Sequence, residues 1–140
     1  PIFEKFVLPP LKKAKLESNT FLKNWIYNSL SKSVKNGNLN RFGIIKKGLI
    51  ATGDSFISEE SIIKRLNDEL PNLEAIEMEG GAVAQVAEQE GVPWAIVRVI
   101  SDNADDNSAN DFDQFIKDYV LSSWKLIDCF LKDIPEFPNN

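Results

Sequence analysis

Residues 75–82 read AIEMEGGA, and residues 97–102 read VRVISD. Each stretch is a short apolar run that ends in carboxylates, which is typical of a buried strand that delivers acidic side chains to the edge of a sheet. A buried carboxylate is costly unless it is paired or used. Glu77, Glu79 and Asp102 are therefore the first candidates for chemistry.

The rest of the chain alternates predicted strands with predicted helices. Helical spacing of apolar residues, preceded by capping residues, predicts helices after Ser18 or Asn19, after Ser58 and after Asp111. Small residues predict a further helix over 79–89, packed closely on a sheet. The predicted strands cover 41–52, as one long strand or two short ones, then 75–78, and finally 94–100 as the central strand. This order predicts an α/β sheet with helices on its faces.

With 140 residues and 43% hydrophobic content, the chain has the size of a single domain with its own core. Prolines at positions 1, 9 and 10 predict an extended arm over residues 1–17, because a helix interior does not tolerate proline. The proline-rich residues 133–140 predict a loose tail.

The composition excludes several classes of function. The net charge is −5 and the basic residues are spread along the chain, so we expect no nucleic-acid partner. The sequence has no histidine, which excludes His-assisted nucleophilic catalysis and most zinc sites. Cys129 is the single cysteine, so we expect a reducing, cytoplasmic location. No segment reaches the ~20 apolar residues that span a bilayer, and we expect neither a membrane partner nor a signal peptide.

Glu77 and Glu79 admit two interpretations. If the strand continues through both residues, their side chains point the same way, whereas a turn that begins at Met78 makes them diverge. A Glu at a strand end can accept two hydrogen bonds from a vicinal diol, as sugar recognition requires. Either Glu could instead cap the following helix through its first-turn amides, an interpretation that suits Glu77 better than Glu79.

Asp102 follows the predicted central strand and lies beside Ser101, whose hydroxyl could orient it. It could donate a proton to a leaving group, or it could be a loop or cap carboxylate. Phe56 lies in a strand-to-helix turn and could stack on a flat heterocycle or belong to the core. The later acidic residues fit a solvated loop or a helix cap better than a metal site: Asp105, Asp106, Asp111 and Asp113.

Three ordered motifs now point to a family. GDSFI at 53–57, IEME at 76–79 and RVISD at 98–102 closely resemble the C-terminal half of bacterial 5′-methylthioadenosine/S-adenosylhomocysteine nucleosidases. That family lies within the purine nucleoside phosphorylase superfamily. The resemblance implies part of a nucleoside phosphorylase-like mixed sheet flanked by helices, without the N-terminal half.

The resemblance also implies a hydrolase that cuts the bond between adenine and a 5′-thio-substituted ribose, with no cofactor and no metal. Asp102 would protonate N7 of adenine, and Ser101 would orient it. Glu79 would hold the ribose hydroxyls, with Glu77 in a supporting or capping role. The other substrate contacts would be Met78 against the sugar, Phe56 and the Ile57 backbone against adenine, and Phe112 closing over the site.

Residues 1–10 resemble the family loop that reaches into a neighbouring subunit, so we expect a homodimer with Phe3 and Pro9 as candidates for a cross-subunit pocket. The family's water-activating Glu has no counterpart in this sequence. We therefore expect a truncated chain that carries adenine and ribose contacts without the complete catalytic machinery. Its exposed apolar edges would favour self-association or binding of a missing N-terminal half.

Three alternatives stay open. Related phosphorylases share the Met-Glu and Ser-Asp elements, but those acting on 6-amino purines commonly pair this Asp with a downstream Arg. No Lys or Arg occurs from Asn103 to Ile116, which favours hydrolysis over phosphorolysis. A futalosine hydrolase is another relative. The third alternative is a non-catalytic half-domain that binds adenine nucleosides or serves as a scaffold.

Overall fold

The computed structural model describes residues 4–102, 108–132 and 134–136. Within these ranges the chain forms α-helices, two strands and a short 3-10 helix at Asn40–Phe42. The helices are α1 (Thr20–Lys35), α2 (Glu60–Glu69), α3 (Gly80–Gln89), α4 (Ser108–Ser122) and α5 (Trp124–Lys132). The strands are β1 (Leu49–Thr52) and β2 (Leu73–Glu77). No helix in the described part of the chain is long and apolar enough to cross a membrane.

β1 and β2 form a parallel pair, and α2 makes the crossover between them. Parallel neighbours need such a crossover because both strands run in the same direction. In the register, Ile50 pairs with Ala75 and Thr52 pairs with Glu77. Both strands therefore end at the same edge of the sheet, and α3 begins shortly after β2 at that edge. The α/β prediction is confirmed.

The first helix follows the sequence prediction closely. The Asn19 side chain, rather than that of Ser18, accepts a hydrogen bond from the Leu22 amide at 3.0 Å, which satisfies one of the free donors at a helix start. The helix ends before Gly37, whose φ of 78° is a left-handed conformation that glycine adopts without strain.

The predicted central strand is wrong. Residues 92–102 form neither helix nor strand, and the described sheet consists of β1 and β2 alone. A strand needs a hydrogen-bonded neighbour, but here the Trp94 carbonyl accepts instead from the Asn19 amide at 2.8 Å. Val99 packs against the core, whereas Val97 and Ile100 are 39% and 57% exposed.

Three other predicted boundaries also need correction. Of residues 41–52, only 49–52 form a strand, since residues 40–42 turn in a 3-10 helix. The second helix begins after Glu59 rather than Ser58, because the Glu59 carbonyl accepts the first helical bonds, from Ile62 and Ile63. The final helix begins at Ser108, before Asp111, and a tight turn at Ser123 divides it.

The hydrophobic core lies between the first and last helices. Its buried residues are Leu30, Leu39, Leu126 and Cys129. The ring of Trp25 on α1 meets that of Phe130 on α5 edge to face, with centroids 6.1 Å apart. The core therefore joins α1 to α5.

The N-terminal residues 4–17, expected to be extended, contain two turns, the first closed by a hydrogen bond from the Val7 amide to the Glu4 carbonyl. Leu8 and Lys13 form an antiparallel bridge around a turn that includes Pro9. Lys5 pairs with Glu69 at the end of α2, and Lys13 pairs with Glu88 on α3 at 3.1 Å. Phe3 and most of the predicted tail lie outside the described residues, and residues 134–136 are neither helix nor strand.

The chain exposes more surface than its mass predicts. Its accessible area is 10268 Å², whereas a folded monomer of this mass exposes about 7,300 Å². The surplus is several times the roughly 800 Å² that one partner contributes to a standard protein interface. Exposed apolar side chains around the last helices are Val120, Leu121, Trp124, Ile127, Leu131 and Ile134. The sequence predicted exposed apolar edges of the sheet, whereas these side chains lie in and after the last two helices.

The close approach of α3 to β1 predicts that Gly81→Ala destabilises the fold. A Cβ at Gly81 would lie 2.9 Å from both Cβ and Oγ1 of Thr52. We expect a loss of about 1–3 kcal/mol from this overpacking, although alanine is by itself the better helix former. Gly53→Ala is the matched control, because its Cβ would meet nothing within 4 Å. Urea unfolding measures the stability of both variants. Equal unfolding midpoints for the two would contradict the prediction.

Candidate active site at the carboxyl edge of the strand pair

The two strands and the start of α3 converge on the carboxylate of Glu77. Thr52 and Glu77 end β1 and β2 as register partners. The Thr52 hydroxyl donates a hydrogen bond to Glu77 Oε1. Glu77 Oε2 accepts from the Gly80 amide at 2.6 Å and from the Glu79 amide at 3.2 Å. The geometry therefore favours the capping interpretation of Glu77, which satisfies free amides at the start of α3.

Glu77 is buried, with 7% of its surface exposed. Burial alone would raise the pKa of its carboxyl group, but the hydrogen bonds from Thr52 and from the Gly80 and Glu79 amides outweigh that effect. The charge of Arg98 acts in the same direction as these bonds. Together they hold the pKa of Glu77 below its ordinary value, so the carboxylate is ionised at neutral pH.

Glu79 is far more exposed to solvent than Glu77. Its side chain is 65% exposed, whereas that of Glu77 is 3% exposed. The strand ends at Glu77, so of the two interpretations the divergent one, with a turn at Met78, is confirmed. Arg98 bridges the two carboxylates, with its Nη2 atom 3.5 Å from Glu77 Oε2 and 3.3 Å from Glu79 Oε2. An accessible carboxyl group therefore lies at the edge of the sheet.

Thr52 and Arg98 also belong to the site, although the sequence predicts no role for either residue. The Thr52 hydroxyl accepts the Gly81 amide at 2.8 Å while it donates to Glu77, so it links β1 to α3 and β2. The sequence pattern could have identified Arg98 as a site residue, because it is the only charged residue within an otherwise apolar run. Thr52 had no such signal, since its importance depends on which residue of β2 it pairs with.

Ser101 and Asp102 are half-buried, and the Ser101 hydroxyl donates to Asp102 Oδ2 at 2.6 Å. This contact is the one that the sequence suggested, with the serine orienting the carboxyl group. Asp102 lies four residues after Arg98, on the same irregular segment. The arrangement gives a held carboxyl group that can exchange a proton with a bound molecule.

The predicted aromatic and sulfur contacts are accessible to a ligand. Phe56, Met78 and Phe112 are 63%, 46% and 45% exposed, and Ile57 is half-buried. Such exposed apolar side chains can pack against the flat face of a heterocycle or a sugar. Pro9 is exposed in the N-terminal turn, while Phe3, Asp105 and Asp106 lie outside the described residues.

The described residues contain no group of three or more acidic or cysteine side chains that could hold a metal ion. The side chains described at this edge offer carboxyl groups, hydroxyls and the guanidinium group of Arg98.

The lowered pKa predicts a pH-dependent stability contribution from Glu77. A carboxyl group whose pKa is lower in the folded state stabilises the fold above its unfolded pKa, about 4.3, and that contribution is lost as the pH falls through the folded value. We expect Glu77→Gln to cost about 1.5–3 kcal/mol at pH 7, because charge-assisted hydrogen bonds are lost. The cost should shrink below the ordinary Glu pKa, because there the carboxyl group takes up a proton in the unfolded wild-type chain before it does so in the folded one.

Urea unfolding of the wild type and Glu77→Gln at pH 7 and near pH 3 measures this effect. The exposed Glu60→Gln on α2 is the control and should change stability by less than about 0.5 kcal/mol. A Glu77→Gln cost that is the same at both pH values would contradict the assignment.

The sequence of the chain is similar to those of known proteins. Residues 27–132 match the family model of the phosphorylase superfamily. A 5′-methylthioadenosine/S-adenosylhomocysteine nucleosidase of Bacillus thuringiensis (strain Al Hakam) is 43% identical over 90 residues, which cover 64% of this chain and 39% of that protein. A Bacillus cereus (strain AH187) nucleosidase gives the same values. The chain thus spans about two fifths of the length of these relatives.

Solved structures show the same similarity. The Neisseria meningitidis nucleosidase, in complex with methylthio-immucillin-A, aligns with a TM-score of 0.74 and 27% identity over 88% of this chain and 50% of that chain. The Streptococcus pneumoniae nucleosidase, with a transition-state inhibitor, gives 0.69 and 29% over 89% and 50%. The futalosine hydrolase of Helicobacter pylori gives 0.66 and 32% over 84% and 46%.

The family match includes both strands, the helix that Glu77 caps, and the Ser101–Asp102 pair. It spans most of the chain, and the solved structures have the same fold. The chain belongs to the phosphorylase superfamily.

Proposed function

We propose that the protein hydrolyses the N-glycosidic bond of 5′-methylthioadenosine and S-adenosylhomocysteine and releases adenine. The observation that carries the proposal is the Ser101–Asp102 contact of 2.6 Å, which presents an oriented carboxyl group at the site. The names of the similar proteins supply the substrate class, since both the sequence relatives and the structural neighbours include nucleosidases for these two substrates.

Asp102 acts as the general acid. Adenine is a poor leaving group as an anion, so protonation of N7 lets the base depart neutral while positive charge develops on the ribose. Ser101 donates to Oδ2 of Asp102, which fixes the orientation of the carboxyl group that faces the base in this proposal.

Glu79 binds the sugar. Its side chain has two oxygens, each able to accept a hydrogen bond from one ribose hydroxyl. Negative charge near the ribose also favours the cationic transition state. Met78 packs against the sugar, and the adenine lies against Phe56 and the Ile57 backbone, with Phe112 closing over the site.

The group that activates the attacking water is not among the residues named above. The resemblance assigns that step to a Glu with no counterpart in this sequence, and the chain spans about half of each structural neighbour. Polypeptide corresponding to the rest of the fold would supply the group and cover much of the exposed apolar surface. A chain without that polypeptide would bind adenine nucleosides but not cleave them.

A second copy of the chain completes the pocket for the 5′-thio substituent in this proposal. Phe3 and Pro9 are the candidate residues that would enter this pocket. Lys5 and Lys13, which lie on either side of Pro9, pair instead with Glu69 and Glu88 of their own subunit. The surplus of accessible surface supports association. We assign the homodimer to the cytoplasm, because a lone buried cysteine suits a reducing compartment.

Phosphate dependence tests the reaction class. The native polypeptide that carries this sequence is assayed for adenine release from methylthioadenosine with and without phosphate. We expect the same rate in both cases, with the free thioribose as product. A rate that requires phosphate would replace hydrolysis by phosphorolysis. Faster cleavage of futalosine than of methylthioadenosine would favour the second candidate function, which the Helicobacter pylori neighbour suggests.

A further inference from the structure

The proposed function leaves Thr52 and Glu77 without a substrate to contact. The Glu77 side chain is 3% exposed, so its charge faces the protein interior rather than a bound ligand. The accessible carboxylate is that of Glu79, at 65% exposure. The two carboxylates nevertheless share one partner, because Arg98 Nη2 lies within ion-pair distance of both.

Arg98 and Glu79 would hold each other only weakly if they were alone. An exposed ion pair gains little, since water screens the charges and two long side chains lose conformational freedom. Glu77 changes this balance because it is buried and fixed by donors from three residues: Thr52, Glu79 and Gly80. It gives Arg98 a rigid anchor, and Arg98 in turn fixes the carboxylate of Glu79.

Thr52 sets the rotation of the Glu77 carboxylate. Its hydroxyl proton goes to Oε1, and its oxygen accepts the Gly81 amide at 2.8 Å, so the hydroxyl has one orientation. Oε2 then receives the Gly80 amide and faces Arg98. Without the hydroxyl, Oε1 loses this donor and the carboxylate can turn, which moves Oε2 away from Arg98.

We propose that Thr52 and Glu77 are positioning residues that hold Glu79, through Arg98, in the geometry that binds the two ribose hydroxyls. The inference rests on the proposed function, because that function gives Glu79 a diol to bind. Under this proposal Glu77 helps to orient Glu79. Sugar recognition then depends on the register in which β1 pairs with β2.

The test compares Thr52→Val, which keeps the shape but removes the hydroxyl, with Thr52→Ser, which keeps the hydroxyl. For the native polypeptide, kcat/KM is measured on methylthioadenosine and on its 2′-deoxy analogue. The preference for the ribose substrate is the ratio of these two kcat/KM values. We expect Thr52→Val to reduce this ratio about tenfold, which is the effect of one lost charge-assisted contact. Thr52→Ser should retain the preference. A fold that is merely less stable lowers both rates together and leaves their ratio unchanged.

An unchanged ratio in an active Thr52→Val enzyme overturns the inference. If the wild type releases no base from either nucleoside, the proposed function fails, and crystal structures of the two variants then decide the inference. Loss of the Arg98–Glu77 contact in Thr52→Val, with the contact retained in Thr52→Ser, supports it. A separation that stays at 3.5 Å in Thr52→Val overturns it.

Discussion

Replacing Asp102 with Asn is expected to lower kcat for adenine release by about 10²–10⁴-fold, the usual contribution of a positioned general acid. Asn is almost the same size as Asp, so Ser101 keeps a partner, but the amide cannot deliver a proton to N7. Substrate binding should change far less than kcat. Single-turnover kinetics on methylthioadenosine separate the chemical step from binding and product release.

A nucleoside whose base already carries a positive charge, through a methyl group at N7, provides the control for this prediction. Its base leaves neutral without protonation, so Asp102→Asn should cleave it at nearly the wild-type rate. On the ordinary substrate, kcat of Ser101→Ala should lie between the values for the wild type and Asp102→Asn. This variant keeps the carboxyl group of Asp102 but removes the hydroxyl that orients it. An equal loss on both substrates would mean that Asp102 is not the proton donor.

Replacing Glu79 with Gln should lower kcat/KM on methylthioadenosine by roughly a hundredfold or more, because hydrogen bonds to a charged acceptor contribute about 1.5–3 kcal/mol each. The neutral amide has one acceptor oxygen, so it can hold only one hydroxyl in the same way. It also gives no charge to favour the cationic transition state. Steady-state kinetics with the ribose and 2′-deoxy substrates measure the effect.

Glu90→Gln is the matched control for Glu79→Gln, since Glu90 is an exposed carboxylate at the opposite end of α3. It changes the net charge equally and should leave kcat/KM unchanged. The loss in Glu79→Gln should be much smaller on the 2′-deoxy analogue, which has one hydroxyl fewer to bind. Equal losses on the two substrates would contradict the assignment of Glu79 to the diol.

Local sequence signals predicted much of the fold. The Asn19 cap and Gly37 bound the first helix, and small residues after Glu79 predicted the third, because caps and packing faces depend on neighbouring residues. The central strand at 94–100 failed because an apolar run does not specify its hydrogen-bonding partner. A segment forms a strand only when a second segment pairs with it through hydrogen bonds. Residues 94–100 instead bond to the loop before the first helix.

The same distinction applies to the site. Ser101 and Asp102 are adjacent, so their contact could be inferred from the sequence, and the geometry agrees. Whether Glu77 and Glu79 diverge depends on the residue at which β2 ends, which the pattern left open. The pairing of Thr52 with Glu77 could not be predicted, because it needs the register between strands that are separated by a helix.

The most direct test of the account is a crystal structure of the native polypeptide with methylthio-immucillin-A, the inhibitor bound to the Neisseria meningitidis nucleosidase. The account predicts a hydrogen bond between the Asp102 carboxyl group and the base nitrogen that corresponds to N7. It also predicts that both oxygens of Glu79 lie on the sugar-ring side of the inhibitor, with Arg98 still between Glu79 and Glu77. An inhibitor that binds without touching Asp102 and Glu79, or that does not bind, would contradict it.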